Sequence, residues 1–458
     1  MTAPKKNHAL PSAKEVLLLT LPQMGLMLCH LVIGMTDVWA AGRLDVSVQA
    51  SIGVVAQLFA MLMLLTSLIG SGCMATVSQS LGAGLRHRAD RYAGLIVMLS
   101  ASAGTLIALL ALLFTPFIFD IMQVAPELRP TLSTFFMAYC CQLPFYYVLI
   151  MVNSIFRAHK KVMLPFATLL FMALVNVVGD LGFGLGWFGF PALGEAGIAW
   201  TTFVCALLGL SSNIVLARHY GLLGRSSFAP WRWNRRAMPY LFKVGMPAAA
   251  GNIIAQTGSL VTLAIIGMLP ENSTSVLAGM SVGSRVHSIL MFPLGALNMS
   301  MVIFSGYMLG GGQRSELYSF GRKLAALTGL GLILPSLLLW FLRDPAVAFF
   351  STDEAVQEQA SLFLIFACLG GPLAAMAGIL NGTFSGAGAT ILSCRIGAVT
   401  CWLVNIPLAW VLGIAIGWGA VGVYIAALVS QISAFCWAAT IFKKKKWLEY
   451  GLIKRQNG

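Results

Sequence analysis

KEVLLLTLPQMGLMLCHLVIGMTDVWA, residues 14–40, decides how the rest of the chain is read. After two polar residues it is an apolar run longer than the roughly 20 residues a helix needs to cross a bilayer. Near its far end it carries a carboxylate, Asp37. An ionisable group inside such a run is costly to bury and marks a functional position by default. Eleven further stretches of the same kind can be drawn, at 48–72, 92–115, 131–156, 163–185, 195–217, 239–268, 275–303, 324–342, 359–384, 392–415 and 419–442, and the fifth holds a second carboxylate, Asp180. Of 458 residues, 58% are hydrophobic and only 10% charged, and the mean hydropathy is +0.85, far from soluble domains. The expectation is an all-α integral membrane protein with twelve transmembrane helices.

Basic residues beside spans are retained on the cytoplasmic side. With the N-terminus inside, the inner face collects Lys5, Lys6, Lys14, Arg86, Arg88, Arg91, Arg157, Lys160, Lys161, the run from Arg218 to Lys243, Arg314, Arg322, Lys323, Arg395 and Lys443–Lys446. Only Arg43, Arg129 and Arg343 fall outside, among acidic loops that include Asp45, Asp120, Glu127, Glu195, Glu271, Asp344 and Glu358. The sequence therefore predicts a multi-pass protein of the cytoplasmic (inner) membrane with both termini cytoplasmic. The net charge of +14 follows from that topology and from contact with anionic lipid, and does not call for nucleic acid. The polar start Met1–Glu15 leads into a run too long for a signal core, so the first helix is expected to be retained. The nine cysteines lie in or beside spans without metal-ligand spacing and read as small buried hydrophobes.

The chain repeats itself. Pro22, Gly82-Ala83-Gly84, Asn153-Ser-Ile-Phe156 and Gly194-Glu-Ala-Gly197 return as Pro247, Gly310-Gly-Gly312, Asn381-Gly-Thr-Phe384 and Gly419-Ala-Val-Gly422, at offsets of 225 or 228. Six spans separate the copies, so the halves share one orientation, a transporter architecture with alternating access between lobes. The expected layout is an N-lobe at 1–217, a cytoplasmic inter-lobe linker at 218–240 and a C-lobe at 241–458 with a basic tail. In the repeat Asp37 falls roughly opposite Thr262 and Asp180 roughly opposite Ala409, so the acidic pair belongs to the first half alone.

Counting along the predicted spans, Asp37 lies near the outer end of span 1, Asp180 near the outer end of span 5, and Thr202 and Tyr139 about two turns into spans 6 and 4. Asn176 stands four residues before Asp180 on the same helical face. Two carboxylates, an amide and hydroxyls at one level suit a proton-loading pair, whose ionisation is tuned by desolvation and mutual repulsion. They equally suit a sodium site at Asp37, Asn176, Asp180 and Thr202, since a hard cation wants oxygen ligands and net negative charge. The competing bland reading is that each aspartate sits at a span end, hydrated or capping a helix.

These residues resemble the multidrug and toxic compound extrusion (MATE) transporters, in their DinF-like branch, over nearly the whole chain. The resemblance rests on Pro22 followed by Gly34-Met-Thr-Asp37-Val-Trp-Ala-Ala-Gly42-Arg43-Leu44, and on Gln79-Ser-Leu-Gly82-Ala83-Gly84. It continues in Asn176-Val-Val-Gly-Asp180, in Pro191-Ala-Leu-Gly194-Glu-Ala-Gly197-Ile-Ala-Trp-Thr-Thr202 and in Gly283-Ser-Arg285. It implies a two-lobed antiporter that expels organic, cationic or amphipathic compounds while protons or sodium run inward, with no cofactor. It also implies an N-lobe cation site at Asp37, Asp180, Asn176 and Thr202, and a bend of helix 1 at Pro22, where a backbone hydrogen bond is lost. The NorM-like branch places acids where this chain has Ala255-Gln256 and Ala374-Ala375, which favours the N-lobe mechanism. His159 stands where relatives often carry glycine, and no function is attached to it.

Of the other polar residues in spans, His30 lies seven residues before Asp37 on nearly the same face and could exchange protons with it, or simply bond a neighbouring helix. Arg285 could meet an anionic group or make a structural pair, and the repeat sets Gln57 at its counterpart. Gly34 and Gly179 flank the acidic pair. A lipid-linked precursor flippase of related two-lobed architecture is the alternative function, but it would want a basic central cavity, whereas almost all the basic residues lie in cytoplasmic loops. The chain lacks an HExxH helix, a P-loop and a GxSxG elbow, its string Gly279-Met-Ser-Val-Gly283 lying inside a predicted span and not at a strand-to-helix turn, which argues against an enzyme. The expected partners are small organic substrates and the lipid bilayer, with the chain acting as a monomer.

Overall fold

The computed structural model describes residues 10–270 and 273–452; Lys5, Lys6 and Glu271, used above to set the topology, lie outside the described residues. Among these, twelve helices are long and apolar enough to cross a membrane. They are α1 (Ala13–Leu44), α2 (Val46–Met63), α3 (Arg86–Leu113), α4 (Arg129–Ala158), α5 (Met163–Gly184) and α6 (Glu195–His219), then α7 (Trp231–Gly267), α8 (Ser273–Gly310), α9 (Arg314–Phe341), α10 (Glu354–Gly386), α11 (Thr390–Ala415) and α12 (Gly419–Lys444). The twelve-helix all-α expectation is borne out. Several helices outrun their apolar stretches at basic ends: α7 begins at Trp231 and α9 at Arg314. Intrahelical hydrogen bonding continues past the last apolar residue, which hydropathy alone does not register.

The second span departs most from its predicted course. The stretch at 48–72 is broken at Leu64–Leu65, and a second helix, Thr66–Gly82, follows. Neither proline nor glycine sits at the break. Instead Thr66 Oγ1 donates to the Met63 carbonyl and Ser67 Oγ to that of Leu64, both at 2.6 Å. The Tyr147 hydroxyl, from α4, takes the Leu62 carbonyl at 2.5 Å. Hydroxyls three residues on compete with the helical ladder, and the backbone tightens to i→i−3 bonds at Leu64, Ser67 and Leu68. All three carbonyls are thereby satisfied where no water is at hand. At its start, α2 is capped by Asp45, which accepts from the Ser47 amide at 2.7 Å. Hydrogen bonds from the Ser47 hydroxyl and amide hold the exposed Asp45 carboxyl below the usual carboxylate range.

Packing divides the chain into two units, Leu21–Gly245 and a second made of Met246–Gly458 with the residues up to Thr20. The divisions fall just before Pro22 and Pro247, the repeated prolines, inside α1 and α7. Through Pro22 the helix itself is unbroken. In the first unit α4 is central, packed against α2, α3 and α6. Gly104 lets α3 close on it, since a Cβ there would stand 2.9 Å from Pro144 Cα. In the second, α10 has the same central place against α8, α9 and α12. The residues expected as a linker, 218–240, pack onto the first unit: Trp233 meets Tyr92 edge-on at 5.1 Å, and a Cβ on Gly94 would fall 2.1 Å from the Ser227 carbonyl oxygen. The tail closes the second unit in a parallel way, with Trp447 buried and stacked on Phe442 at 5.2 Å.

Candidate cation site

Asp37 enters the first unit from α1 and is nearly enclosed, 5% exposed. Two neighbours donate to it: Asn176 Nδ2 from α5 reaches Oδ1 at 3.1 Å, and the Tyr139 hydroxyl from α4 reaches Oδ2 at 3.4 Å. Asp180, fully buried one turn beyond Asn176, stands close enough for the two carboxyl groups to interact directly. It opens the π-helical turn Asp180–Gly184 that ends α5. A wider turn of this kind re-aims side chains and is frequent at functional sites. Gly179 makes the approach of α6 possible, since a Cβ there would lie 2.4 Å from Thr201 Cγ2. Gly34, by contrast, faces open space.

The site adjoins a cavity of about 190 Å³ whose wall includes His30, Asp37, Tyr139, Asn176 and Thr202. Of the residues singled out in the sequence, the structure therefore brings together Asp37, Asp180, Asn176 and Tyr139, with Thr202 and His30 on the same cavity. The Thr202 hydroxyl donates to the Ile198 carbonyl at 3.2 Å, within its own helix. Gln57 is exposed on α2 and does not line the cavity. Arg285 is exposed on α8 and forms no ion pair among the described residues. Among the lining residues that escaped the sequence reading, Gln142, Tyr146 and Phe59 carry polar or aromatic groups. Gln142 and Tyr146 lie three and seven residues after Tyr139, on its face of α4, a spacing that could have found them. Phe59 of α2 packs edge-on against Tyr139 at 5.1 Å and tilted against Tyr146 at 5.5 Å; nothing in its local sequence distinguishes it from a lipid-facing aromatic.

Electrostatically the site is an excess of acceptors. Both Asp180 oxygens, Asn176 Oδ1 and Gln142 Oε1 are shielded and form no hydrogen bond of good geometry. No lysine or arginine lines the cavity. Buried acceptors of this kind need a donor or a cation to offset their lost hydration.

The second unit holds a neutral copy. Asn405 Nδ2 of α11 donates to Thr262 Oγ1 of α7 at 3.2 Å. Ala409, one turn beyond Asn405, is buried where the repeat sets it opposite Asp180. The amide clamp recurs and the carboxylates do not. The π-helical turns recur too, at Val399–Asn405 and Val411–Ala415.

Twelve spans in two similarly built units, with buried acidic groups in one, define a membrane transport protein. The MatE family model matches residues 22–181 and 247–411, and the chain belongs to that family, the MATE transporters. It is a transporter and not an enzyme. It is 21% identical to the probable multidrug resistance protein NorM of Thermotoga maritima, over 97% of this chain and 95% of that one. To the multidrug resistance protein PmpM of Pseudomonas aeruginosa it is 25% identical, over 88% and 84% respectively. Its fold matches the Vibrio cholerae MATE transporter VcmN in the bent form with a TM-score of 0.87 at 18% identity, over 94% of this chain and 96% of that one.

Proposed function

We propose that the protein is a secondary active exporter of the DinF-like kind, expelling organic cationic or amphipathic compounds in exchange for H+ or Na+ bound between Asp37 and Asp180. Relatives named as multidrug resistance proteins support the substrate class. The observation that carries the reading is the buried acceptor cluster: two adjacent carboxyls, with the Asn176 and Gln142 oxygens, and no lysine or arginine on the wall. Two ionised carboxylates side by side out of water repel each other and lack hydration. Loading a cation removes that penalty; releasing it restores the strain. Asp37 sits on α1, past the division at Pro22, so the load acts on a helix that serves both units. The positive-inside pattern supports an inner-membrane protein with both termini cytoplasmic, acting as a monomer.

The test is transport of a cationic dye by the purified protein in proteoliposomes under separately imposed proton and sodium gradients. One gradient should drive the dye outward. Asp37→Asn and Asp180→Asn, inserted at normal levels, should lose that gradient dependence. Wild-type behaviour in both variants, or indifference to both gradients, would overturn the proposal.

A further inference from the structure

The second unit contains a groove that the cation site does not use. It lies between α8 and α9, has a volume of about 760 Å³, and is walled by leucines such as Leu290 and Leu297 on one side and Leu327 and Leu338 on the other. Phe349 and Phe350, which follow the short helix Arg343–Ala348, line one end. The hydroxyl on the wall, Thr328, already donates to the Leu324 carbonyl at 2.7 Å. Gly331 also lines the groove, and a Cβ there would meet nothing within 4 Å.

The depth of the groove identifies what fills it. Its α8 wall runs from Val286 to Leu297, which at about 1.5 Å per residue is roughly 17 Å. That is about half of the roughly 30 Å hydrocarbon core. The end lined by Phe349 and Phe350 lies where α9 finishes and the loop begins, so the groove reaches from one membrane interface to mid-bilayer. On the neighbouring face of α9, Leu330 and Leu334 are 65% and 75% exposed, as lipid-facing residues are. An apolar slot at this depth has neither water nor polar partners to fill it, and an unfilled slot forfeits dispersion contacts along its walls.

We propose that this groove is a phospholipid site that takes one acyl chain of a single leaflet, with the headgroup at the interface end beside Leu342 and Ala346. The rigid leucine walls order that chain, unlike the mobile lipid over the rest of α9. The site is independent of the ion coupling proposed above.

Photolabelling tests it. The protein is reconstituted in phosphatidylethanolamine and phosphatidylglycerol vesicles containing a minor fraction of phosphatidylcholine with a diazirine midway along one acyl chain. It is then irradiated and mapped by mass spectrometry. Adducts on Leu290, Leu297 and Leu332 should exceed those on Leu334 several-fold. Gly331→Phe, which fills the groove from an open position, should remove the excess and leave the Leu334 adduct unchanged; Leu297→Trp serves the same purpose if the first variant does not fold. Equal labelling of groove and Leu334, or an excess that survives both fillings, overturns the proposal. So does loss of the groove adducts under saturating dye, which would make the occupant a transported compound.

Discussion

At the scale of single residues, the first unit concentrates its chemistry where helices come closest. Gly179 illustrates the dependence, since Thr201 Cγ2 occupies the place of its missing side chain. Gly179→Val should cost about 1–3 kcal/mol through overpacking, seen as a lower thermal midpoint in detergent, with ion-driven efflux falling as α5 and α6 separate. Gly34→Ala is the control, because its side faces open space, and it should retain a near wild-type midpoint. The neutral copy supplies a second contrast. Thr262→Val removes the partner of Asn405 but no charge, so dye efflux should keep its dependence on the imposed gradient, whereas Asp37→Asn should lose it. Gradient dependence lost in Thr262→Val would mean that both units load ions.

At the scale of helices, the break in the second span is the feature the sequence concealed. The other spans were legible because hydropathy over about 20 residues reports the cost of backbone and side chains in hydrocarbon. The break at Leu64–Leu65 depends on Thr66, Ser67 and a tyrosine from another helix, and no local pattern reveals a partner 85 residues away. The site divides the same way. Asp37, Asp180 and Asn176 could be found because ionisable and amide groups are rare in apolar runs and their depth could be counted. Gln142 and Tyr146 were within reach of the same counting from Tyr139, but Phe59 could not be placed on the cavity without knowing how α2 and α4 face each other. Tyr147→Phe should leave the Leu62 carbonyl without its donor, at a cost of about 1–3 kcal/mol. Hydrogen exchange at residues 62–66 should quicken while exchange in α10 stays unchanged; equal protection in both proteins would remove Tyr147 from the account of the break.

At the scale of the whole molecule, the proposed orientation is open to a direct check. Single cysteines at Ser226 and at Glu195, in a background free of the native nine, should differ toward a membrane-impermeant maleimide applied to intact cells. Glu195→Cys should label and Ser226→Cys should not; the reverse pattern would invert the topology. The recurrence of the amide clamp without its carboxylates also limits the energetics of a working cycle. If cations load only between Asp37 and Asp180, no more than two can cross per turn, one for each carboxylate. For an electroneutral exchange, a tenfold ion gradient, worth about 1.4 kcal/mol per ion, then sustains a substrate ratio of at most about a hundredfold. On the proposed coupling, the missing acids at Thr262 and Ala409 would set a thermodynamic ceiling on how far a cell can empty itself of an exported compound, however fast the protein turns over.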